Sequence, residues 1–66
     1  MAREKRVYGV FHGEKWGVTT SKRQAVEYRR HNDAEVRFMS WATYTDPGNA
    51  YGWDEITFRL CSESLP

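Results

Sequence analysis

The chain has 66 residues, enough for one small domain, and its ten Lys and Arg residues nearly balance its nine Asp and Glu residues. This balance excludes a strongly acidic DNA mimic and argues against a bulk nucleic-acid binder, which usually carries a clear basic excess. Cys61 is the single cysteine, so an intrachain disulfide is excluded and a metal site is not expected. Aromatic residues make up 15% of the chain, and we expect them to supply much of the core.

No apolar run approaches the roughly 20 residues of a membrane span. The charged N-terminal residues are followed by no signal-type apolar stretch. We therefore expect a protein without membrane contact. We expect it to be cytoplasmic, because an unpaired cysteine fits a reducing compartment. We expect a single domain over residues 1–66, with residues 1–5 and 62–66 frayed.

The first predicted element is a β-hairpin. Residues 6–11 are rich in Val, Tyr and Phe, which favour extended structure. Residues 12–14 carry a glycine and predict a turn, and residues 15–18 predict the second strand.

The second predicted element is a helix over residues 22–31. Ser21 followed by Gln24 matches a capping box, in which the two residues satisfy free backbone N–H groups at the start of a helix. Ala25 and Tyr28 have the spacing of a helix face, and we expect that face to pack on the sheet, with Val26 at its edge. Asn32 and Asp33 predict its end.

Residues 34–44 predict a third strand with two apolar faces. Val36 and Phe38 share one face, and Met39 and Trp41 share the other. This pattern predicts a central strand, or a bulge that switches the register. A single helix covers only one face, so we expect a partner or a second copy of the chain to cover Met39 and Trp41.

Residues 46–49 form a strong turn signal, because proline presets φ while glycine and asparagine tolerate positive φ. After this turn, Ile56, Phe58 and Leu60 alternate with polar residues over 55–60, which predicts a last strand with one core face. The predicted fold is α+β, with the elements in the order β-β-α-β-β along the chain. It is a four-stranded antiparallel sheet in the spatial order 2-1-3-4, with one helix on one face.

No catalytic constellation emerges from the sequence. Cys61 has no histidine near it in sequence, and His12 and His31 fall in a turn and at a helix end. Asp54 and Glu55 would point to opposite faces of a strand. The glycines fall in a hairpin rather than in a strand-to-helix phosphate loop. We therefore expect a protein that is not an enzyme and binds no cofactor.

One candidate binding surface is the aromatic set around the long turn. Tyr and Trp recur as binding anchors because they offer large rigid area and a polar tip. The alternative is a second, minor core made by ring pairs across strands. The predicted partner-binding residues are Trp41, Tyr44, Asp46, Tyr51, Trp53 and Glu55.

A second candidate surface is basic and lies on the predicted helix. Lys22, Arg23, Arg29 and Arg30 would contact phosphates or an acidic protein surface. The alternative is a solvated helix back, since cations in the last turn also complement the helix dipole.

The first half of the chain resembles a known layout. Its parts are the hairpin Val7–Phe11 and Trp16–Val18, the helix entry Thr19-Thr20-Ser21, and Ala25 and Tyr28 in the helix. It is similar to that of small phage and prophage accessory proteins, over roughly residues 6–44 at the level of pattern. The resemblance implies an inhibitor of anti-CRISPR or host-polymerase type that binds a host complex by surface complementarity. Many such inhibitors are strongly acidic, and this chain is not.

The leading functional hypothesis is therefore a non-enzymatic protein-binding module, an inhibitor that blocks a host protein complex stoichiometrically. The alternative is a small nucleic-acid-binding protein that uses the basic helix face and exposed aromatic rings. A third reading is a structural homodimer, so both monomer and homodimer stay open.

Overall fold

A computed structural model describes residues 5–48 and 54–66. Its centre is a four-stranded antiparallel sheet in the order β2-β1-β3-β4. The strands are β1 (Arg6–His12), β2 (Lys15–Thr19), β3 (Glu35–Ser40) and β4 (Glu63–Ser64). The helices of the described part are α1 (Lys22–Asn32), α2 (Trp41–Tyr44) and α3 (Glu55–Cys61). The predicted α+β class and four-stranded antiparallel sheet are confirmed, but the single helix is wrong.

The predicted hairpin is present as β1 and β2. Its loop is Gly13-Glu14, since His12 and Lys15 are the last paired residues. Gly13 has φ +62°, a conformation that glycine adopts without steric cost at the first position of a two-residue hairpin loop.

The predicted α1 helix is also present, with half of its capping box. The Ser21 hydroxyl accepts from the Gln24 N–H at 3.3 Å, whereas the Ser21 N–H donates to the Thr19 hydroxyl at 3.1 Å instead of to Gln24. Asp33 ends the helix in the left-handed conformation, with φ 51°. Ala25 is fully buried, as predicted, but Tyr28 is 51% exposed.

Strand β3 is central and apolar on both faces, as predicted, but it ends at Ser40. The Ser40 hydroxyl accepts from the Thr43 N–H and starts a helical turn. Trp41 therefore lies in α2 and not on the strand face of Met39.

The sheet carries a small core on each face. On the α1 face, Tyr8 and Val36 pack with Ala25. The opposite face holds a second core made by Val7, Phe11, Met39 and Phe58. The expectation that this second face lacks a cover within the chain is wrong, because α3 supplies Phe58.

Residues 55–60 were predicted as a strand, and this prediction is wrong. Asp54 caps a helix instead, since its carboxylate accepts from the Ile56 N–H at 2.9 Å. Glu55 and Arg59 form an ion pair at i, i+4 with 3.4 Å between Oε1 and Nη2. In a helix only Phe58 faces the sheet, while Ile56 and Leu60 point away from it.

The fourth strand is Glu63–Ser64, which pairs with Phe38 and Arg37 of β3. It belongs to the tail 62–66 that the sequence analysis expected to be frayed. There the Leu65 N–H donates to the Val36 carbonyl at 2.9 Å, and Ser62 is buried. These contacts place the tail against the edge of β3.

Gly9 and Phe58 form the closest contact between sheet and α3. Phe58 is 0% exposed. A Cβ built on Gly9 would lie 2.5 Å from Cε1 of the Phe58 ring, which is closer than carbon atoms approach one another. Glycine is therefore required at this position of β1 for the ring to reach the sheet.

We predict that Gly9→Ala destabilises the protein by about 1–3 kcal/mol, because the methyl group overpacks the Phe58 ring. Gly17→Ala is the matched control, since it lies in the neighbouring strand and its Cβ would meet nothing within 4 Å. Urea unfolding measures both free energies. Equal effects of the two substitutions would contradict the Gly9–Phe58 contact.

We further predict that Phe58→Ala and Leu60→Ala differ sharply in urea unfolding. Phe58→Ala removes a fully buried ring and should cost about 3–5 kcal/mol. Leu60 is 80% exposed, and its replacement should change stability by no more than about 0.5 kcal/mol. A strand would have buried both residues, so similar large losses would contradict the helix.

Candidate functional site

The most exposed large apolar side chains of the described residues lie on α3. Ile56 is 68% exposed and Leu60 is 80% exposed. They are four residues apart and therefore adjacent on one side of the helix, the side opposite Phe58. We call Ile56 and Leu60 the outer α3 face.

A helix with apolar residues on opposite sides is typical of a helix that is buried on both sides. In this protein Phe58 covers the sheet, whereas the outer α3 face has no cover within the described chain. Burying a leucine or isoleucine side chain contributes about 1.5–3 kcal/mol relative to leaving it exposed. A partner that covers Ile56 and Leu60 would gain this free energy.

Arg59 fixes the helix under the outer α3 face. Its guanidinium carbon lies 4.3 Å from the centroid of the Phe11 ring, a cation–π distance. It also forms ion pairs with Glu55 of α3 and with Glu35 of β3, the latter at 3.6 Å. Arg59 therefore ties α3 to both central strands of the sheet.

Arg37 binds the residue that ends α3. Its Nε donates to the Ser62 hydroxyl at 2.9 Å and its Nη2 donates to the Ser62 carbonyl. Ser62 caps the C-terminal end of α3. Because the middle of α3 is anchored by the buried Phe58 ring and its C-terminal end by Arg59 and Ser62, the outer α3 face is held in place before any partner binds.

The predicted aromatic surface is divided by the structure. Tyr44 is half-buried, and its ring lies edge-on to the Phe58 ring with 6.4 Å between the centroids. It packs against the second core, in agreement with the alternative that these aromatic residues form a minor core. Trp41 is 38% exposed. It packs on Tyr44 at 5.9 Å, and the Lys5 ammonium lies 4.4 Å from its ring centroid.

The remaining predicted partner-binding residues lie in or next to the α2–α3 connection. The Asp46 carboxylate accepts from the Gly48 N–H at 2.9 Å and closes a turn. Glu55 is half-buried in α3 and is paired with Arg59. Tyr51 and Trp53 lie outside the described residues. The predicted hairpin around these positions is wrong, since helices lie on both sides of the connection.

The predicted basic surface is also divided. Arg23 pairs with Glu27 at 3.7 Å, with both side chains largely exposed. Arg29 is half-buried, and its Nη1 donates to the carbonyls of Leu65 at 3.1 Å and Pro66 at 3.3 Å. Lys22 and Arg30 lie exposed on α1. Arg29 therefore holds the tail against α1 and does not share an open basic face.

Two further findings concern sites and membranes. Within residues 5–48 and 54–66, no group of three or more His, Cys, Asp or Glu side chains is arranged to hold a metal ion. Over the same residues, no helix has the length and apolar character needed to span a membrane.

Sequence reasoning assigned Ile56 and Leu60 to the core and so missed the outer α3 face. The signal that could have found it is local. Asp54 is a favoured N-cap residue, and Glu55 with Arg59 is a favourable i, i+4 pair. Both indicate a helix over the same residues whose alternation indicates a strand.

Comparison of the chain with protein-family models, with curated proteins and with solved structures found no match.

We predict that Arg29→Gln loosens the tail, whereas the neighbouring Arg30→Gln does not. Removing the guanidinium of Arg29 removes its hydrogen bonds to Leu65 and Pro66. The Leu65 N–H, which donates to the Val36 carbonyl, should then exchange with solvent several-fold faster in amide hydrogen exchange. Unchanged exchange in Arg29→Gln would show that the arginine does not hold the tail.

Proposed function

We propose that the chain is a non-enzymatic protein-binding module whose contact surface is the outer α3 face. The observation that carries this proposal is the exposure of Ile56 and Leu60, 68% and 80%, side by side on a fixed helix. Single exposed apolar residues are ordinary on protein surfaces. Two adjacent large aliphatic residues on a short helix that already packs its other side make a contact ridge.

The shape of this ridge indicates the chemistry of the partner. An exposed helix with apolar residues at i and i+4 fits a hydrophobic groove on another protein. Glu55 and Arg59, which flank the ridge, are paired with each other, so the flank presents little net charge. The proposed partner is therefore a protein with an apolar groove and a polar rim.

The sequence places two aromatic residues just before α3. Trp53 directly precedes Asp54 in the chain, and Tyr51 lies two residues earlier. Tyr and Trp are enriched among the anchor residues of protein interfaces, so both stay predicted partner-binding residues. Of the other predicted partner-binding residues, Trp41 in α2 and Asp46 after it are exposed.

The resemblance to small phage accessory proteins supplies the biological context of the proposal. The chain would act as a stoichiometric inhibitor, of anti-CRISPR or polymerase-inhibitor type, that occupies a groove on a host protein complex. Its small size and anchored α3 support this role, because a pre-organised surface loses little conformational entropy on binding.

The nucleic-acid alternative rests on the basic residues of α1, and the contacts of these residues favour it less. Arg23 is paired with Glu27, and Arg29 is engaged with the tail. Lys22 and Arg30 are left as exposed cations. Two phosphate contacts would add little affinity at physiological salt.

The test uses two double variants with the same number of changes. Ile56→Ser with Leu60→Ser removes the ridge, and Lys22→Gln with Arg30→Gln removes the exposed cations. Wild-type protein captures its partner from bacterial lysate, and the purified pair is titrated calorimetrically. We expect a 1:1 complex and a loss of affinity of at least about 100-fold for the serine double variant, since two buried aliphatic side chains contribute about 3–6 kcal/mol.

The glutamine double variant should bind within about threefold of the wild type, and both variants should unfold like it in urea. The opposite ranking, together with affinity for DNA or RNA that falls steeply with salt, would replace this proposal with the nucleic-acid alternative.

A further inference from the structure

Among the described residues 5–48 and 54–66, strand β2 forms an edge of the sheet that no other strand pairs. At the other edge, β4 has only two residues, and such a short edge offers little to a pairing strand. Strand β2 has five residues, Lys15–Thr19, without proline and with one charged residue, at its first position. Natural proteins usually protect a strand of this length with proline, bulges or inward-pointing charges.

The hairpin register determines which backbone groups of β2 point outward. His12 and Lys15 close a two-residue loop, and the closing pair of such a loop exchanges hydrogen bonds. Because hydrogen-bonded pairs alternate along an antiparallel ladder, Lys15, Gly17 and Thr19 bond to β1. The N–H and C=O groups of Trp16 and Val18 therefore point away from the sheet.

We propose that β2 pairs antiparallel with β2 of a second copy of the chain, about a two-fold axis at Gly17. In this register Trp16 of each copy lies opposite Val18 of the other. Each Val18 N–H donates to a Trp16 carbonyl and each Trp16 N–H donates to a Val18 carbonyl. The two four-stranded sheets become one continuous sheet.

This register uses every outward backbone group of Trp16 and Val18. A shift by two residues in either direction pairs Trp16 with Trp16 or Val18 with Val18, and the second pair then falls outside one of the strands. A shift by one residue brings inward-bonded groups to the edge. The symmetric register is thus the one that β2 satisfies best with its own copy.

The side chains fit the same register. Gly17 meets Gly17 at the axis, in a non-hydrogen-bonded pair whose Cα atoms lie about 4.5 Å apart, and nothing lies within 4 Å of a Cβ built there. Trp16 and Val18 form an apolar pair across the strands, and Val18 is 44% exposed in the single chain. Lys15 faces Thr19, so no two like charges face each other.

A groove also lies beside β2, on the face of the sheet that carries α1. It has a volume of about 600 Å³ and lies between the hairpin and α1, with Val10 and Gly17 in the strands and Gln24 and Tyr28 on the helix among its lining residues. Pairing joins the two grooves above Gly17. The two β1 strands are then three strand spacings apart, about 14 Å, and the half-exposed Tyr28 of each copy lines the joined groove.

The first test measures the wild-type protein. Sedimentation equilibrium should give a mass that rises with concentration from 7.8 kDa toward twice that value. Amide hydrogen exchange by NMR should show Trp16 and Val18 N–H groups protected at high concentration and unprotected at low concentration. Gly17 should be protected at both, because its N–H bonds to β1.

The second test uses Val18→Pro, which removes the outward Val18 N–H from each copy and leaves the bonds to β1 intact. We expect dimerisation at least tenfold weaker. Val18→Thr is the matched control, since it keeps the N–H group and a β-branched side chain, and it should dimerise like the wild type. The double variant Ile56→Ser with Leu60→Ser should also dimerise normally, which separates this proposal from the proposed function.

Three results would overturn the proposal. One is a single-chain mass at all concentrations with unprotected Trp16 and Val18 amides. Another is a dimer that Val18→Pro does not weaken, because the contact would then lie elsewhere. The third is protection of these amides only on addition of a different protein, which would assign the edge to a foreign strand.

Discussion

The packing of the Phe58 ring on Gly9 is the contact on which the rest of the structure depends. Because Gly9 has no side chain, the ring reaches the backbone of β1 and completes the second core with Val7 and Met39. This contact fixes the rotation of α3 about its axis. Once Phe58 faces the sheet, Ile56 and Leu60 must face away from it, so one packing interaction both closes the core and creates the exposed ridge.

Arginine side chains hold α3 and the tail after it in place. Arg59 links α3 to the sheet, Arg37 binds Ser62 after α3, and Arg29 binds the carbonyls of the tail. Planar guanidinium groups suit this role because they donate several hydrogen bonds in fixed directions. These three arginines are thereby engaged within the chain. They therefore do not form a large open basic face for a partner.

The two proposed contacts lie on different layers of the molecule. The outer α3 face lies on the helix layer, and the β2 edge lies at one side of the sheet. They do not compete, since the ridge points away from the sheet while the edge extends it. A symmetric pair of chains would carry two copies of the ridge, and a partner with two grooves would bind such a pair with increased avidity.

The sequence by itself determined the elements with strong local signals. These are the hairpin, where Gly13 takes a positive φ; the α1 helix, where Ser21 supplies the cap; and β3, whose two apolar faces indicate a central strand. Only the tertiary structure decided residues 55–61 and, with them, the candidate site. The alternation of Ile56, Phe58 and Leu60 is typical of a strand. The cap at Asp54 and the ion pair within the helix are typical of a helix. A segment this short has no decisive period, so the fit of one aromatic ring against a glycine in a distant strand selects the helix.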